Sequence, residues 1–150
     1  MSKELVSSTE IDAPAEQVWE ILTDFAAFQS WNPFIVEAEG RAEVGSQLTL
    51  RMQPVGGSAM TLRPTVVAVV ERQLLRWSGR FWMPGLFDAD HAFVLEPLGA
   101  TRTALVQREE FSGLLVSLFR RSLDRRTLPA FEAMNAALKD RAEQATAARG

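Results

Sequence analysis

The sequence contains no cysteine and a single histidine, His91, among its 150 residues. The absence of cysteine excludes disulfides, zinc sites built from thiolates and a cysteine nucleophile. With one histidine, a conventional metal site is not expected, because most such sites use several His or Cys ligands. The sequence therefore predicts no metal and no cofactor.

The sequence also lacks a long apolar run, a signal peptide and an excess of basic residues. Its apolar runs span only a few residues, such as Val66 to Val70, whereas a membrane-spanning helix needs about twenty. Met1 to Thr9 has neither the basic start nor the apolar core of a signal peptide. The net charge of −3 argues against general nucleic-acid binding. We expect a cytoplasmic protein without stable membrane insertion.

The chain does contain enough apolar residues for one folded unit. Hydrophobic residues make up 47% of the sequence and charged residues 23%, which is ordinary for a globular protein. A length of 150 residues suits a single domain. We predict one domain over residues 1–150, with an ordered core from about residue 4 to residue 142.

The first two-thirds of the chain carry mainly strand patterns, interrupted early by short helices. Glu4 to Ile11 predicts a strand, Pro14 to Thr23 a short helix, and Asp24 is expected to cap a second turn that ends near Ser30. Six more strands are predicted, near Phe34 to Glu39, Gln47 to Gln53, Ala59 to Val70, Leu74 to Phe81, Phe87 to Glu96 and Thr101 to Phe111. Their short connections indicate an antiparallel meander of seven strands.

The last third of the chain is predicted to be helical from about Gly113 to Ala142. Pro129 removes one backbone hydrogen bond, so the segment is either one kinked helix or two helices broken at Leu128. The sheet must cover its apolar face, and only this helix is long enough to do so. One helix cannot fill the whole concavity of such a sheet. The remaining gap is the predicted ligand site.

Two ordered sets of residues resemble a known family. The first set is Ile11-Asp12-Ala13-Pro14, Val18-Trp19, Asp24 and Trp31-Asn32-Pro33. The second set is His91 to Pro97, Thr101 to Leu105 and Glu109 to Gly113. Together they resemble the polyketide cyclase/dehydrase-like branch of the START/Bet v 1 superfamily, also called SRPBCC. The resemblance implies an α+β helix-grip fold, in which the seven-stranded curved antiparallel sheet wraps around the long C-terminal helix.

Strand alternation predicts a few polar groups inside the concavity. His91 shares a face with Phe93 and Leu95, so its imidazole is expected to point inward and is suited to proton transfer. If the Leu105 face of the next strand is also inward, Gln107 and Glu109 join His91. The alternative is structural: a histidine satisfied by one hydrogen bond, and a glutamate paired with an arginine.

Arginines and large apolar side chains supply the other candidates. Arg51 and Arg76 are expected to face outward, while Arg63 remains a candidate anchor for an anionic ligand group. The predicted ligand-binding residues are Trp31, Phe34, Met52, Met60, Trp77, His91, Phe93, Gln107, Glu109, Phe131 and Met134. The apolar segment from Phe81 to Phe87 is expected to form a lid or a self-association surface.

Three hypotheses about function follow. The first is that the domain binds a small hydrophobic or amphipathic molecule, lipid-like or polyketide-like, in an internal cavity. The second is a polyketide cyclase/dehydrase-type enzyme in which His91 transfers protons with Glu109 or Arg63. The third is a homodimer formed through the 81–87 hairpin. Whether the protein is an enzyme stays open at this point, because no set of residues requires catalysis.

Overall fold

The computed structural model describes residues 2–81 and 83–149. Trp82, in the predicted 81–87 hairpin, lies outside the described residues. The strands within these ranges are β1 (Ser2–Ile11), β2 (Ile35–Glu39), β3 (Thr49–Met52), β4 (Met60–Leu62), β5 (Thr65–Val70), β6 (Leu74–Phe81), β7 (Phe87–Pro97) and β8 (Thr103–Ser112). The helical segments are α1 (Ala15–Thr23), a 3₁₀ helix (Phe25–Ser30), α2 (Val116–Ser122), a π-helical turn (Leu123–Thr127) and α3 (Leu128–Arg149).

The strands form two antiparallel sheets that are joined by backbone contacts. The larger sheet has the order β1-β8-β7-β6-β5 and the smaller sheet the order β2-β3-β4. Gln47 bridges to Thr65, and the N–H of Leu48 donates to the carbonyl of Pro64 at 2.8 Å. The predicted α+β fold, a curved antiparallel sheet with a long C-terminal helix, is confirmed.

The strand count differs from the prediction because one predicted strand is interrupted. The expected strand from Ala59 to Val70 is split at Arg63 and Pro64 into β4 and β5, which belong to different sheets. Pro64 has no N–H to donate and a fixed φ, so it does not continue a regular ladder. The described residues therefore contain eight strands where seven were predicted.

Side chains alternate along β8 between the concave and the outer face of the larger sheet. Leu105, Gln107 and Glu109 are buried on the concave side, while Arg108 and Glu110 are exposed. The sequence left the direction of the Leu105 face open, and the structure shows that this face points inward. The predicted orientations in β3 and β6 are confirmed. Arg51 and Arg76 are exposed, as predicted, and their apolar neighbours are buried.

The concave face is covered by α3, which spans 22 residues and about 33 Å. Phe131, Met134 and Leu138 on this helix are fully buried. The helix also contacts β1 and α1. None of the helices within residues 2–81 and 83–149 is long and apolar enough to cross a membrane.

The C-terminal helical segment is continuous, with a wide turn just before Pro129. The N–H of Leu128 donates to the carbonyl of Leu123, five residues back, as expected of a π-helical turn. Pro129 lacks an N–H and its ring crowds the carbonyl four residues earlier, so a wider turn here relieves both effects. Of the two alternatives for this region, a continuous segment is the one observed.

The two short helices after β1 occupy the predicted places. Pro14 immediately precedes α1, and Val18, Ile21 and Leu22 are buried. The predicted capping of the second turn by Asp24 is wrong, because its side chain makes no capping hydrogen bond. The later turn is held by Asn32 instead, whose Oδ1 accepts from the N–H groups of Phe34 and Ile35, both at 2.9 Å.

An ion pair lies on the outer face of the larger sheet. Nε and Nη2 of Arg76 donate to the two carboxylate oxygens of Asp90, at 2.6 and 2.8 Å, and the Ser78 hydroxyl donates at 2.9 Å. Burial raises the pKa of Asp90, but the hydrogen bonds from Arg76 and Ser78 and the charge of Arg76 outweigh it and hold the pKa below its ordinary value. Arg76 is therefore engaged on the outer surface.

Candidate functional site

A cavity of about 610 Å³ lies between the concave sheet and the segment formed by α2 and the π-helical turn. Five phenylalanine rings contribute to its wall: Phe34, Phe81, Phe87, Phe111 and Phe119. Further apolar wall comes from Met52, Met60, Leu62 and Leu123. Aromatic and flexible methionine side chains suit an apolar ligand whose shape they can follow.

Three charged side chains also line this cavity, at different depths. Arg80 at the end of β6 and Arg126 in the π-helical turn are exposed, so they mark the mouth. Glu109 is only 6% exposed and marks the deep end. The cavity therefore has a cationic mouth, an apolar body and one buried carboxyl group.

The mouth is built from contacts between the β3–β4 loop and the π-helical turn. The N–H of Val55 donates to the carbonyl of Arg126 at 2.9 Å. The guanidinium of Arg126 lies against Gly57, where an added Cβ would be 3.4 Å from Nη1. The wide turn before Pro129 thus places Arg126 at the mouth and ties it to the loop.

Glu109 is connected to a chain of polar groups that runs through the core behind the cavity. Nδ1 of His91 lies 2.9 Å from Oε2 of Glu109, and Nε2 lies 3.0 Å from Oε1 of Gln107. Nε2 of Gln107 donates to Oδ1 of Asn135 at 2.8 Å, and Nδ2 of Asn135 donates to Oγ of Ser7 at 3.0 Å. This chain links β7, β8, α3 and β1.

Aromatic rings enclose the imidazole of His91, which is 0% exposed. The ring is stacked on Trp77 with centroids 5.2 Å apart, and it also contacts Phe93 at 4.7 Å and Phe131 at 5.1 Å. His91 is not part of the cavity wall. The predicted inward orientation of His91 is confirmed, but it reaches the cavity only through Glu109.

The structure brings together only some of the predicted ligand-binding residues. Phe34, Met52, Met60 and Glu109 line the cavity. His91, Phe93, Gln107, Phe131 and Met134 are buried in the core outside the cavity wall. A large apolar side chain on a concave face packs against its neighbours unless a void adjoins it, and the sequence does not show where the void lies.

The two predicted tryptophans and Arg63 also lie away from the cavity wall. Trp31 borders a separate pocket between α1 and α3. Arg63 is exposed and lines a groove on the outer face of the sheet. A gap of about 20 Å³ touches Trp77, Arg63 and Glu109, which is room for about one water molecule and not for a ligand. Arg63 therefore does not converge with Glu109 on a ligand-sized space.

The candidate site residues chosen from the sequence do not include Arg80, Arg126 or Asn135. Arg80 is on the outward-facing side of β6 but also borders the cavity. It can do so because β4 belongs to the smaller sheet and does not continue the larger sheet next to β6. Arg126 enters through the π-helical turn. Asn135 follows the buried Phe131 by four residues on α3 and therefore lies on the same apolar helix face. An amide at such a position is the sequence feature that could have indicated a buried polar contact.

The fold agrees with comparisons with known proteins. Residues 3–143 match the sequence profile of the family described as polyketide cyclase / dehydrase and lipid transport. The protein belongs to this family. No significant match was found among curated proteins.

Solved structures similar to this polyketide cyclase/dehydrase family member include an aromatase/cyclase. The Zhui aromatase/cyclase from Streptomyces sp. R1128 is 20% identical, with a TM-score of 0.79 over 96% of this chain and 95% of that one. A START superfamily protein from Mycobacterium smegmatis is 23% identical, with a TM-score of 0.74 over 95% and 99%. Norcoclaurine synthase from Thalictrum flavum is 14% identical, with a TM-score of 0.74 over 97% and 96%. At these identities the similarity establishes the shared fold.

Proposed function

We propose that the protein binds an amphipathic small molecule, lipid-like or polyketide-like, in the cavity between the sheet and the helical segment. The observation that carries this proposal is the apolar wall of a space of about 610 Å³, which is within the range of small-molecule sites. The family description, which names both polyketide cyclases and lipid transport, supports a ligand of this kind.

The charges on the wall suggest how the ligand is oriented. Arg80 and Arg126 at the mouth have no ion-pair partner within the described ranges, so they favour an anionic group at the exposed end of the ligand. The five phenylalanine rings hold its apolar body. Glu109 contacts the buried end. An amphipathic anion therefore matches the wall better than a purely apolar molecule.

A substitution that adds bulk to the cavity wall tests this proposal. Met60→Trp adds bulk where the Met60 side chain, 41% exposed, lines the cavity. We expect the affinity for 8-anilinonaphthalene-1-sulfonate, an aromatic anion, to fall at least about tenfold, because the added ring occupies its space. Fluorescence titration measures the change.

Val70→Trp is the matched control for this experiment. Val70 is 46% exposed at the end of β5 and does not line the cavity, so this variant should bind the dye like the wild type. Equal affinities for Met60→Trp and the wild type would place the dye outside the cavity and count against the proposal.

The contact between Glu109 and His91 favours one second candidate, an enzyme that transfers protons on a bound polyketide-like substrate. Glu109 is the group that meets the substrate, and His91 acts as a positioning residue behind it. The version that relies on Arg63 is not supported, since Arg63 faces the outer groove. Similarity to an aromatase/cyclase structure is consistent with this candidate.

Turnover of a poly-β-ketone thioester distinguishes an enzyme from a protein that only binds its ligand. If the protein is an enzyme, Glu109→Gln should reduce the rate of cyclised-product formation about 100-fold or more, since proton transfer is lost. Glu110→Gln, on the exposed face of the same strand, should leave the rate unchanged. A wild-type rate equal to the rate in buffer alone would eliminate the enzyme candidate and leave ligand binding as the proposed function.

A further inference from the structure

A backbone carbonyl of α3 indicates the direction of the polar chain behind the cavity. Nε2 of Gln107 lies 3.5 Å from the carbonyl oxygen of Phe131 and 2.8 Å from Oδ1 of Asn135. A carbonyl oxygen only accepts hydrogen bonds, so this contact favours the orientation in which the Gln107 amide turns its nitrogen toward the helix. Its oxygen, Oε1, then points at His91.

This orientation determines where His91 carries its proton. Oε1 of Gln107 only accepts, and it lies 3.0 Å from Nε2 of His91, so Nε2 must donate. If that were the only proton on the ring, Nδ1 would present a lone pair to Oε2 of Glu109 at 2.9 Å. Two lone pairs at that distance repel each other. A second proton must therefore lie between Nδ1 and Oε2.

We propose that Gln107 and Asn135 hold His91 and Glu109 as a net-neutral couple, and that the cavity consequently takes a ligand whose buried end is an uncharged O–H group. The couple is either imidazolium with carboxylate or imidazole with carboxylic acid. Both forms have the same total charge, and in both Oε1 of Glu109 is an acceptor. This inference rests on the proposed binding function.

The ligand class follows from the charge and burial of the couple. Oε1 of Glu109 has no hydrogen-bond partner among residues 2–81 and 83–149, and Glu109 lines the cavity wall. An O–H group needs only such an acceptor. An ammonium group at the same depth would be a cation without a counter-charge, which is costly away from water. An alcohol or phenol is therefore favoured over an amine.

Nitrogen-15 NMR tests the placement of the proton directly. Because His91 is the only histidine, a long-range proton–nitrogen correlation spectrum contains one native imidazole. We expect a protonated-type shift at Nε2 in the free protein. An unprotonated-type shift at Nε2 together with a protonated Nδ1 would overturn the proposal, because Gln107 would then be donating to the ring.

Three variants connect the NMR signal to the polar chain. Asn135→Leu removes one acceptor of the Gln107 amide and should lower the Nε2-protonated population, whereas Gln17→Leu, which removes a buried glutamine on α1, should not. If Asn135→Leu does not fold, Gln107→Met replaces it. This variant removes the acceptor of the Nε2 proton, so the Nε2-protonated population should fall there too, and its persistence at the wild-type level would contradict the proposal.

A matched pair of probes tests the ligand class. We expect 2-naphthylmethanol to bind the wild-type protein at least about tenfold more tightly than 2-naphthylmethylammonium, with both weakened by Met60→Trp. Equal or tighter binding of the ammonium probe would overturn the ligand class and leave the proposed function intact. If neither naphthyl probe binds but the anilinonaphthalene dye does, the ligand class is likewise overturned and the proposed function stands. If all three compounds fail to bind, the proposed function fails, while the NMR spectrum still decides the proton placement.

Discussion

The Phe131→Ala variant is expected to lose about 3–5 kcal/mol of its free energy of unfolding. Phe131 is fully buried on α3, and its ring contacts Phe34 at 5.3 Å and His91 at 5.1 Å between ring centroids. One side chain thus joins the helix to the segment before β2 and to the concave face of β7. Its truncation removes apolar burial and leaves a cavity that rigid neighbours do not fill.

Urea unfolding of the wild type and two variants measures this effect. Glu132→Ala alters the next residue of the same helix, which is exposed, so its change should stay within about 0.5 kcal/mol. A loss below about 1 kcal/mol for Phe131→Ala would mean that the helix does not close the core at this point. The covering role assigned to α3 would then be incorrect.

The sequence was sufficient to predict the elements that alternation and helical spacing determine. Period-two alternation along β7 correctly placed His91 on the concave face, and along β8 it grouped Gln107 with Glu109 but left open which face they share. Pro14 and the helical spacing of Val18, Ile21 and Leu22 located α1. These features depend on residues near each other in the chain, so a local pattern is enough to reveal them.

The sequence was insufficient where the outcome depends on how distant segments meet. Pro64 was a signal for the break between β4 and β5, yet the apolar residues on both sides of it favoured one strand. The π-helical turn before Pro129 could not be separated from a break in the helix. Because both irregularities shape the cavity mouth, Arg80 and Arg126 were not selected as candidate site residues, whereas His91 and Gln107 of the polar chain were.

Removing His91 alone is expected to be the most damaging change to the polar chain. His91→Phe preserves the aromatic contacts with Trp77 and Phe131 but leaves Glu109, 6% exposed, without its partner. Loss of one member of a buried ion pair typically costs about 3–5 kcal/mol, because the other charge remains buried and unpaired. Gln107 also loses the donor to its Oε1.

The double variant His91→Phe/Glu109→Leu should be more stable than His91→Phe alone, although it carries one more substitution. It removes the unpaired carboxyl group and replaces the couple with apolar side chains, which is often close to neutral for buried pairs. A double-mutant cycle by urea unfolding, completed with Glu109→Leu, should give a coupling energy of at least about 2 kcal/mol. A coupling energy near zero would mean that solvent in the cavity hydrates Glu109 fully. In that case the buried end of the ligand would meet an ordinary solvated carboxylate, and an amine would be as suitable there as an alcohol.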